Sequence, residues 1–140
     1  MIIAVIDGQG GGIGKTVIEK IKSTIKWDYE IIALGTNTVA TSVMLKAGAN
    51  YGASGENAIV YNASRVNVII GAIGIVAANS LHGELSPNMS SAIGESDVIK
   101  ILIPSNKCNL LVAGTKDTLL AEYIEDTISL LDSLYKAKEI

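Results

Sequence analysis

The chain has 140 residues, a length that predicts one domain over residues 1–140 with a core that needs no disulfide or metal. Apolar residues make up 49% of the sequence and aromatic residues only 4%, so we expect an aliphatic core. The formal net charge of −3 and the lack of a long basic run argue against nucleic acid as a partner.

Other features of the whole sequence bear on where the protein is located in the cell and whether it forms oligomers. The single cysteine, Cys108, excludes an internal disulfide and is typical of a reducing compartment. No signal peptide is evident, and the longest apolar run, residues 68–78, is too short to cross a bilayer, so we expect a cytoplasmic protein without a membrane partner. The mean hydropathy of +0.39 indicates either an unusually apolar parallel sheet or surface buried in a homo-oligomer such as a dimer.

Strands and helices are predicted to alternate along the chain. Apolar runs indicate strands at residues 2–6, 29–34, 49–53, 66–72, 98–103 and 110–113. Helical spacing and capping residues indicate helices near residues 13–25, 38–47, 55–65, 87–94 and 117–136, with Ser54 as the cap of the third, and a short helix or turn at 75–81. This order predicts an α/β, Rossmann-like doubly wound fold, with helices on both faces of a mostly parallel sheet of five to six strands.

The predicted strand order is 3-2-1-4-5-6. Only residues 105–109 separate the last two predicted strands, and so short a link favours an antiparallel hairpin.

A glycine-rich turn joins the first strand to the first helix. Glycine lets the backbone approach a ligand closely, and the N–H groups that open a helix attract an anion. We therefore expect the loop to hold a phosphate of a nucleotide or dinucleotide. Asp7, just before it, either caps the turn or binds a ribose hydroxyl or metal. The expected cofactor-binding residues here are Gly8, Gln9, Gly10, Gly11, Gly12, Ile13 and Gly14.

Other candidate site residues follow later strands, because ligands bind beyond the carboxyl ends of strands in such sheets. Thr36 and Asn37 are placed either for an adenosine ribose or its phosphate, or as helix caps. Gly55 and Asn57 are further candidates for binding the cofactor. The candidate catalytic groups are Glu56, His82 and Glu84. The sequence has one histidine and no cysteine cluster, so no metal site is expected.

Two known glycine motifs resemble this loop. Residues 11–16 are similar to the deviant Walker loop of partition-type ATPases, but Gln9 stands where the first P-loop glycine belongs, and no later strand ends in an acid for Mg²⁺. Gly8-xxx-Gly12-Ile13-Gly14 resembles the turn of short-chain dehydrogenases/reductases, which implies NAD(P) or another nucleotide as cofactor. The ribose-binding acid and the Tyr-x-x-x-Lys pair of that family are missing, so hydride transfer is not supported.

The chain also resembles, end to end, a small bacterial family described only as a domain of unknown function. The resemblance is carried by residues 7–15, 33–37, 46–50, 55–59 and 71–75. It implies no activity. Four hypotheses remain. They are binding of a nucleotide or dinucleotide at the glycine loop, a regulatory or interaction subunit that acts as an oligomer without catalysis, a P-loop-like nucleotide-dependent enzyme, and a small transferase or hydrolase that uses Glu56 or the loop with His82 and Glu84.

Overall fold

One parallel sheet forms the centre of the molecule. The computed structural model describes residues 1–105 and 108–140. The strands are β1 (Ile2–Asp7), β2 (Glu30–Gly35), β3 (Tyr51–Ser54), β4 (Val68–Ala72) and β5 (Ile99–Ile103). They form one five-stranded sheet in the order β3-β2-β1-β4-β5, and every neighbouring pair is parallel. The predicted α/β doubly wound fold is confirmed, and the order matches the first five positions predicted.

Helices cover both faces of the sheet. They are α1 (Gly12–Thr24), α2 (Thr38–Lys46), α3 (Glu56–Asn62), α4 (Pro87–Glu95) and α5 (Leu120–Lys136). Residues of α1, α2 and α5 pack into one apolar cluster, which includes Val17, Met44 and Ile128. Residues of α3 and α4 form the other, which includes Ile59 and Ile93. Within the described residues, no helix combines the length and apolar composition needed to cross a bilayer.

The apolar run of β1 explains why it lies at the centre. Ile3 pairs with Ile31 of β2 on one side and with Val68 of β4 on the other. Ile3, Val5 and Ile6 are at most 1% exposed, so both faces of the strand are buried. Such a strand needs a continuous apolar run, because neither face meets water.

The predicted sixth strand at residues 110–113 is wrong. These residues lie outside the five-stranded sheet, and Leu111 is 88% exposed. A short apolar run is an ambiguous signal, because it does not show whether an open sheet edge lies beside it. The hairpin that we expected with β5 is therefore absent as well, and residues 106 and 107 of its predicted link lie outside the described residues.

Two helix boundaries also differ from prediction. α3 begins at Glu56 with Gly55 as its N-cap, in a left-handed conformation (φ 93°) and without a side-chain cap. Ser54, the predicted cap, ends β3 instead, and its hydroxyl lies 2.6 Å from the Thr41 hydroxyl. α5 begins at Leu120, three residues later than expected, so residues 117–119 extend the preceding loop.

Candidate functional site

A crevice of about 320 Å³ opens beside the glycine loop, at the carboxyl ends of β1 and β4. β1 lies at the centre of the sheet, with β2 on one side and β4 on the other. The chain adds β2 and β3 on one side of β1 and then crosses over to add β4 and β5 on the other side. Ligands of open α/β sheets bind where the strand order reverses in this way. Residues 7–13 form one wall of the crevice. The remaining lining residues are Ala72, Gly74, Ile75, Leu81, Ser105, Cys108 and Leu120.

Asp7 caps the glycine turn from inside. The N–H of Gly8 donates to Oδ1 of Asp7 (2.8 Å), and the N–H of Gly14 donates to Oδ2 (2.7 Å). The Asp7 residue is only 8% exposed. A carboxylate is favourable at this place because it satisfies N–H groups at the positive end of α1. Of the two roles expected for Asp7, the structure has the capping one.

The other N–H groups of the loop fall into two sets. Those of Gly11 and Lys15 donate to backbone carbonyls, and that of Gln9 donates to Oε1 of Glu84 (3.0 Å). The N–H groups of Gly10, Gly12 and Ile13 have no acceptor among residues 1–105 and 108–140. Two carboxylates therefore occupy part of the loop where we predicted a phosphate, and three amides beside the crevice are not used by any described residue.

Glu84 brings together residues that the sequence predicted as a site. Its Oε1 accepts from the N–H of Gln9, from the Thr36 hydroxyl (2.8 Å) and from the Asn37 side-chain amide (2.6 Å). Burial raises the pKa of the Glu84 carboxyl, but the bonds from Thr36, Gln9 and Asn37 and the charge of His82 outweigh burial and leave the pKa below its usual value. Thr36 and Asn37 are thus bound to a protein carboxylate. Neither residue lines the crevice.

The loop that carries Glu84 has an unusual backbone. Asn79, Leu81 and His82 all have left-handed φ angles, between 54° and 61°. For a leucine this conformation costs roughly 1–2 kcal/mol. Such strain persists only where surrounding contacts fix it. Two sets of contacts fix the loop here: the hydrogen bonds that Glu84 accepts, and the packing of Leu81 against Gly8.

Glu56, Gly55 and Asn57 lie away from the crevice. The Glu56 carboxylate accepts from the Ser86 hydroxyl and from the Asn88 side-chain amide (3.1 Å), and these bonds lower its pKa. They tie the start of α3 to the start of α4, which gives Glu56 a structural role. The exposed Asn57 and the N-cap Gly55 do not line the crevice.

Glu84 makes a hydrogen bond to the glycine loop, whereas His82 makes none with the described residues. His82 is exposed and lines a separate crevice of about 680 Å³, together with Gln9 and Cys108. Cys108 was not among the candidate site residues, yet it lines both this crevice and the one beside the glycine loop. The signal that could have placed it is its position after β5, since carboxyl ends of parallel strands share one edge. The predicted hairpin concealed that signal.

A second crevice, of about 590 Å³ and lined by both apolar and polar residues, adjoins the first. The two share Ile13, Ser105 and Leu120. The second is lined further by Pro104, Leu110, Leu111 and Val112, among others. Sequence reasoning missed this segment because it assigned residues 110–113 to a strand.

Lys15 does not act as a P-loop lysine in this geometry. It lies on the exposed side of α1, with its Nζ 4.0 Å from a carboxylate oxygen of Glu19, and it does not line the crevice. The described part of the chain holds no group of three or more His, Cys, Asp or Glu side chains that could ligate an ion.

Comparison with known proteins gives a family but no activity. The sequence profile of a family described as "Domain of unknown function (DUF3842)" matches residues 2–136. No curated protein matches the sequence. The dodecameric FMN-dependent Ubix-like decarboxylase from Escherichia coli O157:H7 is a similar solved structure, with 13% identity, a TM-score of 0.45, and coverage of 95% of this chain and 75% of the decarboxylase chain. A TM-score below 0.5 carries no argument about ligand or assembly. None of these findings shows the resemblance to short-chain dehydrogenases/reductases.

Proposed function

We propose a function from the site itself, because the chain belongs to the family described as a domain of unknown function (DUF3842), a description that assigns no activity. The crevice at the carboxyl ends of β1 and β4 binds a small ligand of nucleotide type through its phosphate. The phosphate accepts from the amides of Gly10, Gly12 and Ile13. These amides carry the proposal, since no described residue accepts from them and all three residues line the crevice.

The size and charge of the crevice limit the ligand. A volume of about 320 Å³ lies at the small end of the range for ligand pockets, roughly 300–1,000 Å³. A mononucleotide-sized ligand suits it better than NAD(P). The carboxylates of Asp7 and Glu84 touch neighbouring amides of the loop and repel a phosphate, so binding is weaker than at a loop without them.

The test is a substitution that changes the crevice without disturbing the fold. A Cβ at Gly12 meets no atom within 4 Å, so Gly12→Asp is tolerated sterically and places a negative charge beside the free amides. Gly94→Asp is the matched control, since its Cβ also meets nothing within 4 Å and it lies in α4, away from the crevice.

The assay is thermal shift followed by calorimetric titration with AMP, FMN, ATP, GTP, coenzyme A, NAD, NADP and FAD. We expect at least one phosphate compound to stabilise the wild type and Gly94→Asp, with affinity for Gly12→Asp lower by roughly tenfold or more. Failure of every compound to bind wild type at millimolar concentration refutes the proposal. So does equal binding by the two variants.

Self-association is a second candidate function, favoured by exposed apolar side chains. Leu111 is 88% exposed, Leu120 43% and Val112 40%, and all three line the second crevice; apolar side chains exposed together in this way mark an association surface. Light scattering of the eluting protein at several concentrations tests this candidate. A dimer whose dissociation constant rises in Leu111→Ser supports it, and a monomer at the highest concentration refutes it.

A further inference from the structure

We propose that Leu81 and Glu84 form a plug that closes one branch of the crevice, so that the site accepts phosphate monoesters and rejects dinucleotides. This inference rests on the proposed function, because it concerns which phosphate compounds reach the same amides. It concerns the loop between β4 and α4, a segment that reaches across the ends of β1 and β2.

The first part of the plug is steric. A Cβ built on Gly8 stands 2.7 Å from Cδ1 of Leu81 and 2.7 Å from Oγ1 of Thr36. Leu81 and Thr36 therefore pack directly against the backbone of Gly8, and the space between Leu81 and Gly8 is too narrow for a ligand atom. Leu81 therefore closes the path from the glycine loop towards the end of β2. The backbone of Leu81 is left-handed (φ 54°), a strained conformation that the surrounding contacts maintain.

The second part of the plug is polar. The Glu84 carboxylate joins Gln9, which follows β1, to Thr36 and Asn37, which follow β2. In dinucleotide-binding sheets an acidic residue after the second strand binds the adenosine ribose, so the ribose lies at the end of that strand. This chain has no acid there. A glutamate from a distant loop engages the donors at that place, and a dinucleotide would have to displace it.

On the opposite side the crevice adjoins the second one. Ile13 and Leu120 line both the crevice beside the amides and the crevice of about 590 Å³. The organic part of the ligand extends in this direction, against Leu110 and Leu111. The chemistry selected is therefore a single phosphate joined to a body with an apolar face, without a second nucleotide half.

Matched ligand pairs test this inference. Nicotinamide mononucleotide and NAD differ by an adenosine monophosphate half, and so do FMN and FAD. We expect wild type to bind one or both mononucleotides at least roughly tenfold more tightly than the corresponding dinucleotide. In Leu81→Ala/Glu84→Ala we expect the preference to fall to roughly threefold or less, through a gain in dinucleotide affinity.

Two control variants separate the plug from other effects. Glu84→Gln removes the charge but keeps a carbonyl oxygen for the three donors, so both members of a pair should bind more tightly and the preference for the mononucleotide should stay larger than in the double variant. Leu130→Ala removes an exposed leucine of α5 that lines neither crevice, and it should leave both affinities as they are.

The outcomes distinguish this inference from the proposed function. A wild type that binds NAD or FAD as tightly as its mononucleotide overturns the plug alone, even if the double variant does not fold. A folded double variant that keeps the wild-type preference also overturns it. If no phosphate compound binds wild type or variant, the phosphate site is refuted and the plug with it.

Discussion

Replacing Asp7 by asparagine tests the hydrogen bonds that fix the start of α1. The carboxylate accepts from Gly8 and from Gly14, and it lies at the positive end of the helix. Asparagine has nearly the same shape but only one acceptor oxygen, so its NH₂ group faces one of the two backbone donors. The change therefore removes one charge-assisted bond and the favourable charge at the helix end.

The expected cost follows from these two losses. A hydrogen bond to a charged group contributes about 1.5–3 kcal/mol, and a charge at a helix end adds about 0.3–1 kcal/mol. We therefore expect Asp7→Asn to lower the free energy of unfolding by about 2–4 kcal/mol. For a chain of this length that is a fall in Tm of roughly 6–12 °C.

Urea denaturation of Asp7→Asn beside Asp97→Asn provides the measurement. Asp97 is exposed and makes no described hydrogen bond or ion pair, so the same chemical change there should cost less than about 0.5 kcal/mol. Equal stability of the two variants would refute the capping role. The amides of Gly10 and Gly12 are untouched by Asp7→Asn, so affinity for a phosphate ligand should not fall in the variant.

Two further predictions concern Gly35 at the carboxyl end of β2 and Glu84 in the loop after β4. Gly35→Ala should lower the free energy of unfolding by about 1–3 kcal/mol or more, because its Cβ would stand 2.2 Å from Oγ1 of Thr41 and 2.7 Å from the backbone N of Thr41. A Cβ at Gly10 meets no atom within 4 Å, so Gly10→Ala should be nearly neutral in the same urea titration. The pKa of Glu84 is lower in the folded state than its unfolded value of about 4.3, so its contribution is complete above that pH and is lost as the pH falls through the folded pKa. Thermal melts between about pH 6 and pH 3 should therefore show wild type losing stability relative to Glu84→Gln, and parallel profiles would contradict this.

The sheet could be predicted from the sequence because its central strands β1 and β4 are buried on both faces. Continuous apolar runs such as residues 2–6, separated by helical patterns, permit few arrangements other than a parallel sheet. The sixth strand could not be judged in the same way. Leu111 and Val112 look like strand residues, but only the tertiary structure shows that they lie exposed beside a crevice rather than along β5.

The candidate site was predictable only in its local part. The glycine loop and the capping role of Asp7 depend on residues close together in sequence. The bond from Gln9 to Glu84 spans 75 residues and requires a left-handed leucine, a conformation that no sequence pattern indicates. For the same reason the structural role of Glu56, which joins Ser86 and Asn88, was out of reach of local patterns.

The central position of β1 has a consequence for biosynthesis. During synthesis β1 leaves the ribosome before β2 and β4. The second edge of β1 can pair only after β4 has been made, as in the pairing of Ile3 with Val68. Until then a nascent chain presents a bare apolar strand, which is the kind of segment that chaperones bind and that is prone to aggregate. Folding yield should therefore depend on the speed of synthesis through residues 30–72, well after the strand at risk has emerged.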